Sequence, residues 1–310
     1  MVIVVGSLNM DLFIRVQRFL QPGETVFGRD FHTSFGGKGA NQAYAIGKLG
    51  APSHIKTAMI GCVGQDSFGD QMIANLQTIG VDTSAVLRRA DVASGTALIT
   101  LDDSGQNQIV VASGANATLS AADVSAQVQR FQGAKAVVVQ LETTMPAVER
   151  ALRMGREVGA LTILNPAPAT PVPDELLRLC DYVIPNESEA TQLTGVGVLN
   201  VDTAAAAARS LRSRGARNVL VTLGDKGVWL ETEGHRGHLP TYPVKAVDTV
   251  GAGDTFIGGF VVGLVEGADV RSAAQLGCAA AAIAVTRSGA QTSVPTREET
   301  VERLYLKSEN

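Results

Sequence analysis

This 310-residue chain has little cysteine, a single tryptophan and no excess of positive charge. Its three cysteines, Cys62, Cys180 and Cys278, stand far apart without a Cys-x-x-Cys pair. Neither a disulfide framework nor a thiolate metal site is indicated, and a reducing cytoplasm is the expected compartment. Lys plus Arg number 26 against 30 Asp plus Glu, a net charge of −4. No basic field exists to draw in nucleic acid or an anionic lipid surface. No apolar run reaches the ~18 residues of a bilayer span; the longest, 257–265 and 277–285, are rich in Gly or Ala and read as core helices. The chain opens Met1-Val-Ile-Val-Val-Gly6 with no basic residue before Arg15, which is a buried strand rather than the charged start of a signal peptide. Nucleic acid and membrane are thus absent from the expected partners.

What is present is ordinary globular material, 45% hydrophobic and 18% charged with 33 glycines, enough for one large α/β domain or two small ones. Short continuous apolar runs at 2–5, 55–60, 136–141, 161–164, 182–184 and 218–223 have the character of parallel strands buried on both faces. Helical stretches at 39–49, 66–79, 145–158, 187–193 and 203–214 lie between them. This alternation predicts an α/β fold: a doubly wound, mainly parallel sheet flanked by helices. Two segments, 12–34 and 92–113, instead alternate apolar and polar residues around Gly, Pro and Asp-Asp-Ser-Gly turns, the pattern of half-buried antiparallel strands. They are expected to pair into a small β lid over a core of 1–11, 35–91 and 114–310, at the edge where α/β proteins bind ligands. From about residue 252 the chain reads as mainly helical, through 273–287 and a last helix near 297–306.

Asp248-Thr-Val-Gly251-Ala252-Gly253-Asp254 runs from a Gly-bearing turn straight into an apolar helix. Free amides at a helix N-terminus form an anion site. A carboxylate there would repel a simple phosphate, but it makes sense as the base that takes a proton from a hydroxyl attacking phosphorus. An N-terminal cap accounts for Asp254 equally well. Gly36-Gly37-Lys38-Gly39-Ala40-Asn41-Gln42 is a second Gly-rich entry to a helix, where a ligand can approach the backbone, though a plain Gly-rich turn fits too. Upstream, Asn9 and Asp11 end the first strand with the same parity; they suit vicinal hydroxyls, or a simple Asx turn. Common nucleotide motifs are missing: there is no Gly-x-x-x-x-Gly-Lys-Ser/Thr loop, no His-Arg-Asp set and no Gly-x-Gly-x-x-Gly after the first strand. His235 and His238 flank a hairpin tip with no carboxylate or thiol arranged around them, which argues against a metal site there.

Taken together, these clusters resemble the ribokinase-like (PfkB) carbohydrate kinases over nearly the whole chain. Both family signatures are present in the family's order, at 36–42 and 248–254. Gln140-Leu-Glu142, Asn165-Pro-Ala-Pro168, Pro185-Asn186-Glu187-Ser-Glu189, Thr222-Leu-Gly224 and the run 284–293 strengthen the likeness. The resemblance implies a phosphotransferase that moves the γ-phosphoryl group of Mg-ATP to the primary hydroxyl of a pentose, with D-ribose favoured. Asn9, Asp11, Gly37, Lys38, Asn41 and Glu142 would contact the sugar. Asp254 would be the general base, and the amides of Gly251, Ala252, Gly253 and Asp254 would stabilise the transferring phosphoryl group. Asn186 and Glu189 would order Mg2+ largely through water; Thr222 and Gly224 would border the nucleotide. Cys278 stands where some members carry a His near adenine.

Asp248, the carbonyl of Val250, and Ala284, Arg287, Gly289 and Ser293 match positions that bind an activating K+ in such enzymes, an oxygen-rich set suited to a hard cation. The lid segments would also clasp a second subunit, implying a homodimer. Other readings stay open: a kinase of 2-deoxyribose, fructose or a purine nucleoside, or a non-catalytic sugar-binding protein on the same fold.

Overall fold

Runs of Val, Ile and Leu, too short for helices and too apolar for exposed strands, build the centre of the protein. The structure, a computed structural model, describes residues 1–104 and 106–305. Its strands in chain order are β1 (Val2–Val5), β2 (Asn9–Arg15), β3 (Arg29–Gly36), β4 (Thr57–Gly64), β5 (Asp82–Arg89), β6 (Gly95–Leu101), β7 (Asn107–Ala112), β8 (Ala136–Val139), β9 (Leu161–Leu164), β10 (Tyr182–Val183), β11 (Asn218–Thr222), β12 (Val228–Glu231) and β13 (Arg236–Leu239). Nine of them form one sheet in the order β13-β12-β11-β10-β9-β8-β1-β4-β5. It is parallel except for the final β11-β12-β13 meander. Alternate residues of β1 face opposite layers: Val2 and Val4 join one apolar cluster, Ile3 and Val5 the other. Helices cover both faces, which is why these strands read as unbroken apolar runs.

The expected strand at 55–60 lies two residues further on, because the parallel ladder with β1 begins at Val2 opposite Thr57. The last helix is Arg297–Tyr305; Leu306 lies outside the described residues, as does Gly105 of the Asp-Asp-Ser-Gly turn. On one side of the sheet the helices Ala252–Val265 and Val270–Ala284 approach closely through small residues. A Cβ on Gly259 would fall 2.9 Å from the Gly277 Cα, and one on Gly263 2.8 Å from the Ala273 Cα. Phe260 of the first of these helices is completely buried, edge-on to Tyr182 of β10 with ring centroids 5.2 Å apart, a side chain worth about 1.5–3 kcal/mol of hydrophobic stabilisation.

The remaining strands form the small second sheet in the order β3-β2-β6-β7. Each hairpin is antiparallel, as the alternation suggested, but the central β2-β6 seam is parallel. Period-two alternation fixes which side chains share a face and says nothing about strand direction. Strands β2 and β3 also run across the expected lid boundaries, so Asn9, Asp11 and Gly36 sit on the small sheet itself. This sheet therefore delivers polar side chains directly to the carboxyl ends of β1 and β8.

Candidate active site

Two glycines fix where the Lys38–Gly50 helix begins. Gly37 has φ +84, and a Cβ there would lie 2.7 Å from the Asn9 amide nitrogen; one on Gly39 would lie 2.5 Å from that of Ser7. Only residues without side chains allow the helix N-terminus to press against the end of β1. The Ala40 amide donates to the Ser7 carbonyl at 2.8 Å. Glu142, just past β8, is tied into the same corner. Its Oε2 accepts from the Ser7 hydroxyl at 2.5 Å and from the Lys38 amide at 3.0 Å.

Asp254 enters from the first turn of the Ala252–Val265 helix and is 7% exposed. Asn41 Nδ2 donates to its Oδ2 at 3.0 Å, and Gln42 Nε2 to its Oδ1 at 2.9 Å. Burial pushes the carboxyl pKa up, while Lys38 and the two amide donors pull against it and Glu142 adds to the rise. Lys38 answers in the opposite sense. Burial disfavours its ammonium, but Asp254, Glu142 and Glu189 outweigh that and hold its pKa above the usual lysine value. The preceding turn is just as constrained: Gly251 has φ +73, and a Cβ there would fall 2.8 Å from the Ala290 Cα. Around Gly253 a Cβ would meet nothing within 4 Å, so this backbone faces open space. A cleft of about 180 Å³ runs there between Lys38, Asn186, Glu189, Thr222, Gly253 and Asp254.

Beside it, Asn9 accepts at Oδ1 from Asn116 Nδ2 at 2.8 Å. Asp11 is enclosed, and burial, with the Glu142 charge adding to it, pushes its carboxyl up to about 7. A Cβ on Gly36 would collide with the Asp11 carboxylate, so that glycine leaves the room the side chain occupies.

Asn186 caps the Glu187–Thr194 helix in a reciprocal capping box. Its Oδ1 accepts from the Glu189 amide at 2.9 Å, and Glu189 Oε2 accepts from the Asn186 amide at 2.8 Å. Glu189 is buried, which raises its pKa against the pull of the Asn186 amide and Lys38. Thr222 is bridged to Asn186 across the strand ends, and Gly224 follows with φ +56. Cys278 lies within the Val270–Ala284 helix, 3% exposed in the apolar cluster with Phe256 and Tyr242. Asp248 bonds two loops: its Oδ1 accepts from the Val250 amide at 3.0 Å and its Oδ2 from the Gly289 amide at 2.9 Å. Ser293 is fully buried and donates to the Ala290 carbonyl at 3.0 Å, while Arg287 donates its amide to the Ala284 carbonyl at 3.0 Å and pairs with Glu299 at 2.5 Å. The oxygens of this loop pair are all hard donors, which fits a monovalent or divalent hard cation.

The structure thus brings Lys38, Asn41, Glu142, Glu189 and Asp254 into one charged corner, with Asn9 and Asp11 on the adjoining sheet. Several contributors carried no individual signal in the sequence. Gln42, Asn165 and Gln291 lie inside quoted runs but were given no role, and Gln291 reaches Asn41 250 residues away; Ser7 and Asn116 lie outside them, Asn116 being an ordinary amide whose partner Asn9 is 107 residues away. His235 and His238 stay on the β12-β13 hairpin, His238 against the Lys226 carbonyl at 2.6 Å. No helix among the described residues is long and apolar enough to cross a membrane.

Comparison with known proteins places this geometry in context. The profile of the pfkB family carbohydrate kinases matches residues 1–297. The chain is 43% identical over 301 residues to the ribokinase of Haemophilus influenzae, covering 97% of each. It is 38% identical over 304 residues to a deoxyribokinase of Salmonella typhi, covering 98% of each. The structure of Arabidopsis thaliana ribokinase complexed with ribose and ATP superposes with a TM-score of 0.90 at 31% identity, over 98% of both chains.

Proposed function

The chain belongs to the pfkB family of carbohydrate kinases, and from that premise we propose that it transfers the γ-phosphoryl group of Mg-ATP to the primary 5-hydroxyl of D-ribose. The observation that carries this reading is Asp254. It is a buried carboxylate at a helix N-terminus, held on both oxygens by amides and facing an enclosed lysine. A carboxylate whose proton affinity burial raises can take the hydroxyl proton as the oxygen attacks phosphorus. The amides of Gly251 and Gly253, at the positive end of the helix dipole, stabilise the charge on the group in transit; that of Ala252 is turned to the Thr249 carbonyl at 3.2 Å. Lys38, kept charged by three carboxylates, adds a cation to the same space.

Asn9, Asp11, Gly37, Lys38, Asn41 and Glu142 hold the sugar. A carboxylate accepts from two adjacent hydroxyls at once, which suits a fully hydroxylated pentose. Asn186 and Glu189 reach the Mg2+ of Mg-ATP through water, as befits side chains already engaged with each other. Thr222 and Gly224 border the nucleotide and Cys278 packs behind it. Asp248, Val250, Ala284, Arg287, Gly289 and Ser293 form a K+ site whose occupancy orders the anion-binding turn. The β lid closes over the sugar and pairs with a second copy, and three buried cysteines without disulfides support a cytoplasmic setting.

Rates on D-ribose, 2-deoxyribose, fructose and adenosine, measured side by side, test the reading. Loss of the 2-hydroxyl leaves acceptors unpaired, so kcat/KM on ribose should exceed that on 2-deoxyribose about 5-fold to 150-fold. A competitor that outruns ribose overturns the sugar assignment. In the same assay Asp254→Asn should lose about 10²–10⁴ in turnover while still binding sugar; a variant with near wild-type turnover removes Asp254 as base.

A further inference from the structure

An ionised carboxylate only accepts hydrogen bonds, so any amide that touches it must present nitrogen and turn its oxygen away. At Asp254 this forces both neighbours into one orientation and sets a demand for donors behind them, and the structure meets that demand twice. The outward Oε1 of Gln42 accepts from Gln140 Nε2 at 2.5 Å. The outward Oδ1 of Asn41 accepts from Gln291 Nε2 at 3.0 Å, and Gln291 Oε1 in turn accepts from Asn75 Nδ2 at 2.6 Å. Two head-to-tail amide chains, Gln140 to Gln42 and Asn75 to Gln291 to Asn41, converge on the two oxygens of one carboxylate. Gln42, Gln140 and Gln291 are 0%, 0% and 3% exposed, so water cannot substitute for a missing link. Gln42 has no donor to spare, since its second amide hydrogen goes to Asn165 Oδ1 at 3.1 Å. Gln140 Oε1, at the head of the first chain, is buried without a partner, the cost of pointing its nitrogen inward.

We propose that Gln42 and Gln291 are positioning residues, each the pivot of an amide chain that holds the Asp254 carboxylate in the orientation its reaction requires. Aligned donors polarise one another, and the second chain begins at the half-buried Asn75 of the Ser67–Thr78 helix. The inference rests on Asp254 being the base. The charged groups facing it are Lys38, Glu142 and Glu189, and none of them belongs to either chain.

The test is the pH profile of kcat for Gln42→Met, Gln291→Met and Asn75→Ala, measured with Asp254→Asn alongside. Losing a donor favours the protonated base, so the acid limb should move about one pH unit upward for the two Met variants and by less for Asn75→Ala. Turnover should fall about 10-fold or more, with the sugar KM of Gln42→Met within about 3-fold of wild type, since Gln42 touches no sugar. A loss of folded protein alone would scale activity equally at every pH. Should Gln42→Met fail to fold, the half-buried Asn75 keeps the question answerable. An unmoved acid limb in Gln291→Met and Asn75→Ala overturns the proposal when Asp254→Asn is inactive. Near wild-type turnover in Asp254→Asn would instead bring down the base assignment on which it rests.

Discussion

Asp11 shows how a single residue acquires chemistry that its identity does not contain. Burial beside Glu142 lifts its carboxyl to about 7. The folded value lies above the unfolded one, so its contribution to stability is full below the unfolded pKa and is lost as pH rises toward 7. The protein thus holds a destabilising charge at neutral pH, and two donating hydroxyls would relieve it. Sugar binding should therefore release a proton, and the sugar KM should fall as pH rises through about 7. Asp11→Asn should bind more weakly and lose that dependence. Sugar KM measured across the neutral range at saturating Mg-ATP checks this; a wild-type KM independent of pH would rule it out. In the sequence, Asn9 and Asp11 were recognisable as a same-parity pair but were placed at the end of the first strand, whereas β1 stops at Val5 and the pair opens β2. The shift of Asp11 was not recognisable, because it arises first from burial and then from the Glu142 carboxylate 131 positions later in the chain, both of which only folding supplies.

At the scale of elements, helix entrances do most of the work. The Lys38–Gly50 and Ala252–Val265 helices begin at glycines with φ +84 and +73, conformations that L side chains rarely adopt, and each entrance was legible as a Gly-rich run. The Asn186–Glu189 box is different in kind: the same four residues that suggest metal chemistry also satisfy the free amides of a helix start. Asp248 ties the loops around 248 and 289 together, its side chain bonding an amide in each, beside the Val247 amide that donates to the Val285 carbonyl at 2.7 Å. A cation bound between them should stiffen the turn that carries Gly251. Activity should accordingly rise several-fold when potassium replaces a large organic cation at constant ionic strength. A flat titration would eliminate the cation site and leave the kinase reading untouched.

For the whole molecule, the question is what covers the outer face of the small sheet. Leu98 pairs with Val110 in the β6-β7 ladder, and these side chains are 53% and 65% exposed on one face, while Ile109 and Val111, 53% each, are exposed on the opposite face of the same edge strand. Contiguous apolar side chains on an edge hairpin are an interface or an aggregation hazard. A second copy, meeting the first about a twofold axis, would cover it. Light scattering should give about twice the chain mass of 32.3 kDa, and Val110→Lys should return it to one chain. A wild-type protein that stays monomeric at assay concentration would refute this arrangement.

The sequence by itself determined the layers, the positions of the central strands and main helices to within a few residues, the family and the two Gly-rich turns; the outer strands β5, β12 and β13 of the large sheet were not placed from it. What it determined is local, read from periodicity, backbone freedom and motif spacing. Tertiary structure alone decided the parallel β2-β6 seam, the enclosure that raises Asp11 and Asp254, and the amide chains through Gln42 and Gln291. The physical reason is common to all three. Strand direction, desolvation and hydrogen-bond partnership depend on groups brought together from distant positions, such as Asn41 and Gln291, 250 residues apart, and no local pattern encodes a neighbour that only folding supplies.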